Sequence, residues 1–392
     1  MRRYALLSNG FSNFQIASFH IIMPSQLLMD LGWAFSGFYV FGDSTVDPGN
    51  NNYIKTPFRS NFPPYGLDFS NQVPTGRFTN GKLATDYIGL KKELLPPYLD
   101  PSLTNVEELM TGVSFASAGS GFDPLTPTIT NVIPIRKQLE YFRECKKRIE
   151  DDVGKQRIED HVKKAAYFIS AGTNDFVLNY FALPVRRKSY TLQAYQRFLI
   201  QQVKDFIQNL LAEGARKIAI TGIPPMGCLP LMITMNSPNA LFQRDCIDKY
   251  SSIARDYNLL LQHELHAMQL HLNFSTSDAK IYYVDIYKPI ADMIQSRKRF
   301  GFDEVDSGCC GSGFIEASIL CNKISNVCLD PSKDLSSRGL GLPTNRPISM
   351  QENITHPAFS KPTVNLKLLV SFSKLIQREI DIEASDIDLN IN

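Results

Sequence analysis

From residue 38 onward, short apolar runs alternate with longer amphipathic stretches. Runs of β-branched, aromatic and small residues fall at 38–41, 112–116, 165–170, 217–221 and 281–284, each the length of a buried strand. Between them, apolar positions recur at helical spacing over about residues 81–88, 135–150, 190–213 and 244–272. Strands alternating with helices predict a parallel sheet covered on both faces, since each crossover helix must carry the chain back so that the next strand runs in the same direction. No repeat, coiled coil or low-complexity linker divides the pattern. The chain of 392 residues therefore reads as one domain over residues 37–375, after a leader at 1–36 and before an acidic tail at 376–392.

Composition narrows the function classes. Hydrophobic residues make up 43% and charged residues 20%, enough apolar surface for a large core and too little charge for a disordered chain. A net charge of +2 implies no electrostatic partner. Nucleic acid is disfavoured because the basic stretches at 136–148 and Arg186-Arg187-Lys188 are short and read as solvated helix faces. After Met1-Arg2-Arg3 no charged residue occurs until Asp30, as in a signal peptide. Ser8, Asn9, Ser12, Asn13, Gln15 and Pro24 interrupt the apolar stretch, so it makes an irregular leader and a worse membrane span. Ala34-Phe35-Ser36 offers a small-residue cleavage site, and secretion is the expectation.

Seven cysteines bear on the same point. Cys228 with Cys246, and Cys309, Cys310, Cys321 and Cys328, form two local groups without metal-ligand spacing or a nearby histidine. Disulfides in an oxidising compartment fit better, leaving Cys145 as the odd thiol. In a secreted chain the sequons at Asn273 and Asn353 become glycosylation candidates.

The densest chemistry follows the first strand, in Phe41-Gly42-Asp43-Ser44-Thr45-Val46-Asp47-Pro48-Gly49-Asn50-Asn51-Asn52. An apolar run ending in Gly-Asp-Ser delivers a hydroxyl at the carboxyl end of a strand, where open α/β sheets place reacting groups. The plainer reading is a turn, since Asp, Pro, Gly and Asn dominate turns. The second strand runs into Ala116-Ser117-Ala118-Gly119-Ser120-Gly121, where the Gly119 backbone N–H can approach a substrate closely; close sheet–helix packing is the competing explanation. After the third strand, Gly172-Thr173-Asn174-Asp175 offers a side-chain amide to a developing oxyanion, or simply another turn. Late in the chain, Thr355-His356-Pro357 places a histidine in a loop, suited to act as general base. His263, His266 and His271 share one helical pattern, but the first two are three apart rather than four, so a solvated face is favoured over zinc. No serine is framed as Gly-x-Ser-x-Gly, which disfavours an α/β-hydrolase.

Together these segments resemble the plant GDSL esterase/lipases of the SGNH hydrolase superfamily. Phe-Gly-Asp-Ser at Ser44, Phe-Ala-Ser-Ala-Gly at Gly119, Gly-Thr-Asn-Asp at Asn174 and His-Pro at His356 occur in family order. Between them lie Pro74-Thr75-Gly76-Arg77-Phe78, Pro96-Pro97-Tyr98-Leu99-Asp100-Pro101, Gly214-Ala215-Arg216-Lys217, Pro224-Pro225-Met226-Gly227-Cys228 and Cys309-Cys310-Gly311. The resemblance implies a flavodoxin-like three-layer α/β/α sandwich with a central parallel sheet. It also implies a serine ester hydrolase needing no cofactor or metal. Ser44 is then the nucleophile, His356 the base, and the Ser44 and Gly119 amides with the Asn174 side chain the oxyanion hole. Implied substrates are small-molecule, lipid or acylated-glycan esters.

The ending departs from the family. An Asp normally stands three residues before the histidine; here it is Asn353, and residues 334–375 are atypical. Relatives also carry a longer helix around residues 86–90. The alternatives are an impaired or inactive member acting as a binding protein, or an ending and leader joined from a wrong exon or reading frame. Asp-to-Asn in a serine-protease triad lowers turnover about 10,000-fold.

Overall fold

The computed structural model describes residues 35–88, 92–274, 278–314, 321–330 and 333–335. Five strands form the sheet: β1 (Phe38–Gly42), β2 (Gly112–Ser114), β3 (Ala166–Ser170), β4 (Lys217–Thr221) and β5 (Lys280–Val284). All pairings are parallel, in the order β2-β1-β3-β4-β5. The five apolar runs read from the sequence are these five strands, with ends shifted by at most two residues.

Side chains of β1 alternate between two cores, as a two-residue period requires. Tyr39 and Phe41 join Phe115, Phe142, Tyr167, Ile169, Phe206 and Ile218 on one face. Phe38 and Val40 join Ala166, Phe168, Ala219 and Val284 on the other, against Val46 and Leu95. Phe41 lies 5.2 Å from the Phe115 ring and 5.4 Å from Phe206, so the first core is largely aromatic around β1. Burial on both faces explains why the strands read as continuous apolar runs rather than alternating ones.

Helices follow in chain order: α1 (Ala84–Ile88), α2 (Val106–Thr111), α3 (Leu125–Thr130), α4 (Ile135–Val153), α5 (Lys155–Lys164), α6 (Leu192–Ala212), α7 (Pro230–Asn236), α8 (Asp248–Phe274) and α9 (Tyr287–Gln295). On α4, Ile135, Leu139, Phe142, Cys145 and Ile149 recur at three- and four-residue steps and enter the aromatic core. The sequence misses α5, whose only buried side chains are Ile158, His161 and Val162. It also misses the wide helical turn Asp175–Ala182 after β3. Arg186 is no solvated face, since its guanidinium pairs with the buried Asp123 carboxylate at 2.6 and 2.7 Å.

The cysteines pair as Cys228–Cys246, Cys309–Cys328 and Cys310–Cys321. Cys145 is a buried free thiol, and burial pushes its pKa up to about 12. No helix among the described residues is long and apolar enough to cross a membrane.

Candidate active site

The order β2-β1-β3 means the chain leaves β1 toward one neighbour and later returns on its other side. That reversal opens a crevice at the carboxyl ends of the strands, where doubly wound folds bind ligands. The loops after β1, β2 and β3 meet there. They carry Ser44, Gly119 and Asn174, respectively.

The last residue of β1 is a glycine because its neighbours leave no room for a side chain: a Cβ at Gly42 would lie 1.9 Å from the Ser170 carbonyl oxygen. Gln138 of α4 holds both its backbone groups, accepting from the Gly42 N–H at 2.8 Å and donating to its carbonyl at 2.9 Å. The Asp43 N–H donates to Ser170, continuing the β3 pairing for one residue, and the Asp43 carbonyl accepts from the Val46 N–H at 3.2 Å. A trans peptide points its carbonyl and N–H in opposite directions, so this bond turns the Ser44 N–H away from Val46. Ser44 itself is half-buried at the crown of the turn. Beneath it the Asp43 carboxylate accepts from the Thr45 N–H and hydroxyl, at 3.0 and 2.8 Å. Burial raises the Asp43 pKa to about 6 in spite of those donors.

Past β2, the Phe115 and Ser117 N–H groups extend the pairing with β1 by donating to the Val40 and Gly42 carbonyls. Gly119 then adopts φ 87°, a left-handed conformation open to glycine. Its carbonyl accepts from the Thr130 hydroxyl at 3.0 Å. Asn174, just beyond β3, donates one amide hydrogen to the Ser120 carbonyl at 2.8 Å. A primary amide has two hydrogens, so this bond fixes the group while leaving its second N–H to act elsewhere. The next residue, Asp175, is fully buried and accepts from the Phe122 and Asp123 N–H groups and the Thr126 hydroxyl. Burial pushes its pKa up to about 7.

His356 and Asn353 lie outside the described residues. Of the described histidines, His161 is buried before β3, at the opposite end of the strands, with Nε2 3.0 Å from the Tyr39 hydroxyl. His263, His266 and His271 sit on the exposed face of α8. Asn273, one of the two sequons, is exposed in the last turn of α8.

Residues 38–321 match the family of GDSL-like lipase/acylhydrolases. The chain belongs to that family. It is 59% identical over 301 residues to GDSL esterase/lipase At5g45960 of Arabidopsis thaliana, covering 76% of this chain and 79% of the relative. GDSL esterase/lipase At1g06990 of the same plant is 43% identical over 304 residues, 77% of this chain and 83% of the relative. A GDSL-family chain with this parallel sheet is a serine carboxylic ester hydrolase.

Sequence reasoning missed the groups that hold the GDSL loops in place. The three asparagines after Gly49 read as turn formers. Instead Asn50 donates to the Ser114 and Ala116 carbonyls, and Asn51 to those of Phe58 and Ala118. Arg77, noted only as part of a family motif, forms a buried two-bond pair with Asp86 at 2.8 and 2.9 Å and also donates to the Pro48 and Leu95 carbonyls. Polar residues in a glycine-rich loop followed by a distant strand were the available signal, but their partners lie too far along the chain to read.

Proposed function

We propose that this hydrolase works through an acyl-enzyme on Ser44, with the Ser44 and Gly119 amides and the Asn174 side chain stabilising the oxyanion. His356 takes the Ser44 proton as Oγ attacks the ester carbonyl carbon. The carbonyl π electrons move to oxygen, then return to expel the alcohol, which leaves with the proton from His356. Water, deprotonated by the same histidine, attacks the acyl-serine and releases the acid. Asn353 stands where the family carries the Asp that orients the base, so turnover is below that of a chain with the carboxylate. The observation that carries the reading is the Asn174–Ser120 hydrogen bond, which ties the second and third loops together beside the one bearing Ser44.

The substrate class is a carboxylic ester of a lipid, a small alcohol or an acylated glycan. The leader at residues 1–36 and the paired cysteines favour export, with Asn273 and Asn353 as glycan acceptors. Residues 37–375 form the hydrolase domain, followed by the tail at 376–392.

Hydrolysis of p-nitrophenyl acetate by the purified chain tests the assignment. Turnover is expected in the parent, lost in Ser44→Ala, and raised in Asn353→Asp. Undiminished turnover in a folded Ser44→Ala sample would remove Ser44 from the chemistry.

A further inference from the structure

Gly119 poses a problem that the structure answers. With no Cβ, glycine accepts φ of either sign, so the Ala118–Gly119 peptide can flip cheaply. A flip would turn the Gly119 N–H out of the crevice and the Ala118 carbonyl into it, replacing a donor with an acceptor where negative charge develops. Two side chains of the nucleophile loop grip the residue before this peptide bond. The Asn51 amide donates to the Ala118 carbonyl at 2.9 Å, and the Asp47 carboxylate accepts from the Ala118 N–H at 2.9 Å. Asn51 is 1% exposed. Its other amide hydrogen goes to the Phe58 carbonyl at 2.8 Å, and its oxygen accepts from the Ser117 hydroxyl, so its orientation is fixed. Asp47 is likewise anchored by the Gly49 and Asn50 N–H groups, at 2.8 and 2.7 Å.

We propose that Asn51 is a positioning residue for catalysis: by holding the Ala118 carbonyl it locks the Ala118–Gly119 peptide in the orientation that aims the Gly119 N–H at the oxyanion. The planarity of the peptide makes the two ends inseparable, because fixing the carbonyl fixes the N–H that points the other way. This inference rests on the reading of Gly119 as an oxyanion donor. The same loop therefore supplies the nucleophile and sets the geometry of the group that stabilises what the nucleophile creates.

The test compares Asn51→Ala, Ser117→Ala, Asn52→Ala and Asn174→Ala in p-nitrophenyl acetate hydrolysis. Binding of phenylboronic acid, which forms a tetrahedral adduct on the serine, is measured alongside. Loss of one oxyanion donor costs about 100- to 1000-fold in kcat, and a peptide flipped away about 90–99% of the time loses about 10- to 100-fold. Asn51→Ala is expected to show that loss in kcat with KM within about two-fold, and a matching loss of boronic acid affinity. Asn52 is the control, since its amide holds the Thr75 carbonyl rather than Ala118. Asn52→Ala should leave kcat unchanged even if it lowers the melting temperature. Wild-type kcat in folded Asn51→Ala, or a loss confined to KM, overturns the proposal. Should Asn51→Ala not fold, Ser117→Ala, which frees the Asn51 oxygen, decides by the same split between kcat and KM. Asn174→Ala separates the two levels of the argument: a large kcat loss there with none in Asn51→Ala sinks only the positioning role, whereas wild-type kcat in both sinks the oxyanion-hole reading beneath it.

Discussion

A methyl group at Gly121 would lie 2.1 Å from Asp175 Oδ1, well inside van der Waals contact. That contact exists because the Asp175 carboxylate reaches across to the Phe122 and Asp123 N–H groups, leaving no space between the second and third loops. Gly121→Ala should therefore destabilise the fold by at least about 2 kcal/mol and displace the adjoining Asn174, seen as a lower melting temperature together with a lower kcat. Unchanged melting would mean that the two loops separate freely. At this scale the sequence reveals reactive groups better than their supports. Ser44 stands out because it ends an apolar run. Asp47 and Asn51 do not, because their partner at Ala118 lies 71 and 67 residues away and no local pattern records that distance.

Among the helices, α4 shows how an element aims a loop. Gln138 sits in its apolar stripe at 0% exposure and holds both backbone groups of Gly42. Gln138→Leu keeps the volume but leaves the buried Gly42 N–H unpartnered and its carbonyl with the Ser117 N–H alone, an expected cost of about 1–3 kcal/mol. Urea denaturation should show a lower midpoint with an unchanged slope, and a wild-type midpoint would contradict the role. The long helices and all five strands were legible because their apolar period exceeds the background. By contrast, α5 offers three buried positions in ten residues. The start of α8 falls at Asp248 rather than 244 because the chain just before it is tied to the loop after β4, through the Ile247 N–H bond to the Gly227 carbonyl and the Cys228–Cys246 bridge.

For the molecule as a whole, the buried carboxyls set a pH dependence. Burial raises Asp43 and Asp47 to about 6 and Asp175 to about 7, from 3.8 in an exposed chain. Between those limits the folded protein binds more protons than the unfolded one. Their contribution to stability is thus complete below about pH 3.8 and is lost as pH rises through 6 to 7. Asp123 acts in a different window: burial opposes its ionisation, but the hydrogen bonds from Arg186, the Leu125 N–H and Tyr195 outweigh it and hold the pKa below the usual range. Melting temperature should fall from pH 4.5 to pH 7.5, more gently in Asp175→Asn than in the parent; equal slopes would exclude Asp175 as a source.

The placement of the disulfides divides the molecule by the kind of bond that holds it. All three bridges lie beyond β4 and close short stretches, with separations of 18, 19 and 11 residues. The loops carrying Ser44, Gly119 and Asn174 are fastened instead by side-chain hydrogen bonds, which Asp47, Gln138 and Asp175 accept from backbone N–H groups and Asn51 donates to a carbonyl. A reducing agent would thus loosen the late, covalently closed walls while the part of the chain bearing the nucleophile kept its cross-links. Denaturant, which acts on hydrogen bonds, and rising pH, which ionises the buried Asp47 and Asp175, would reach that part without breaking a single sulfur–sulfur bond.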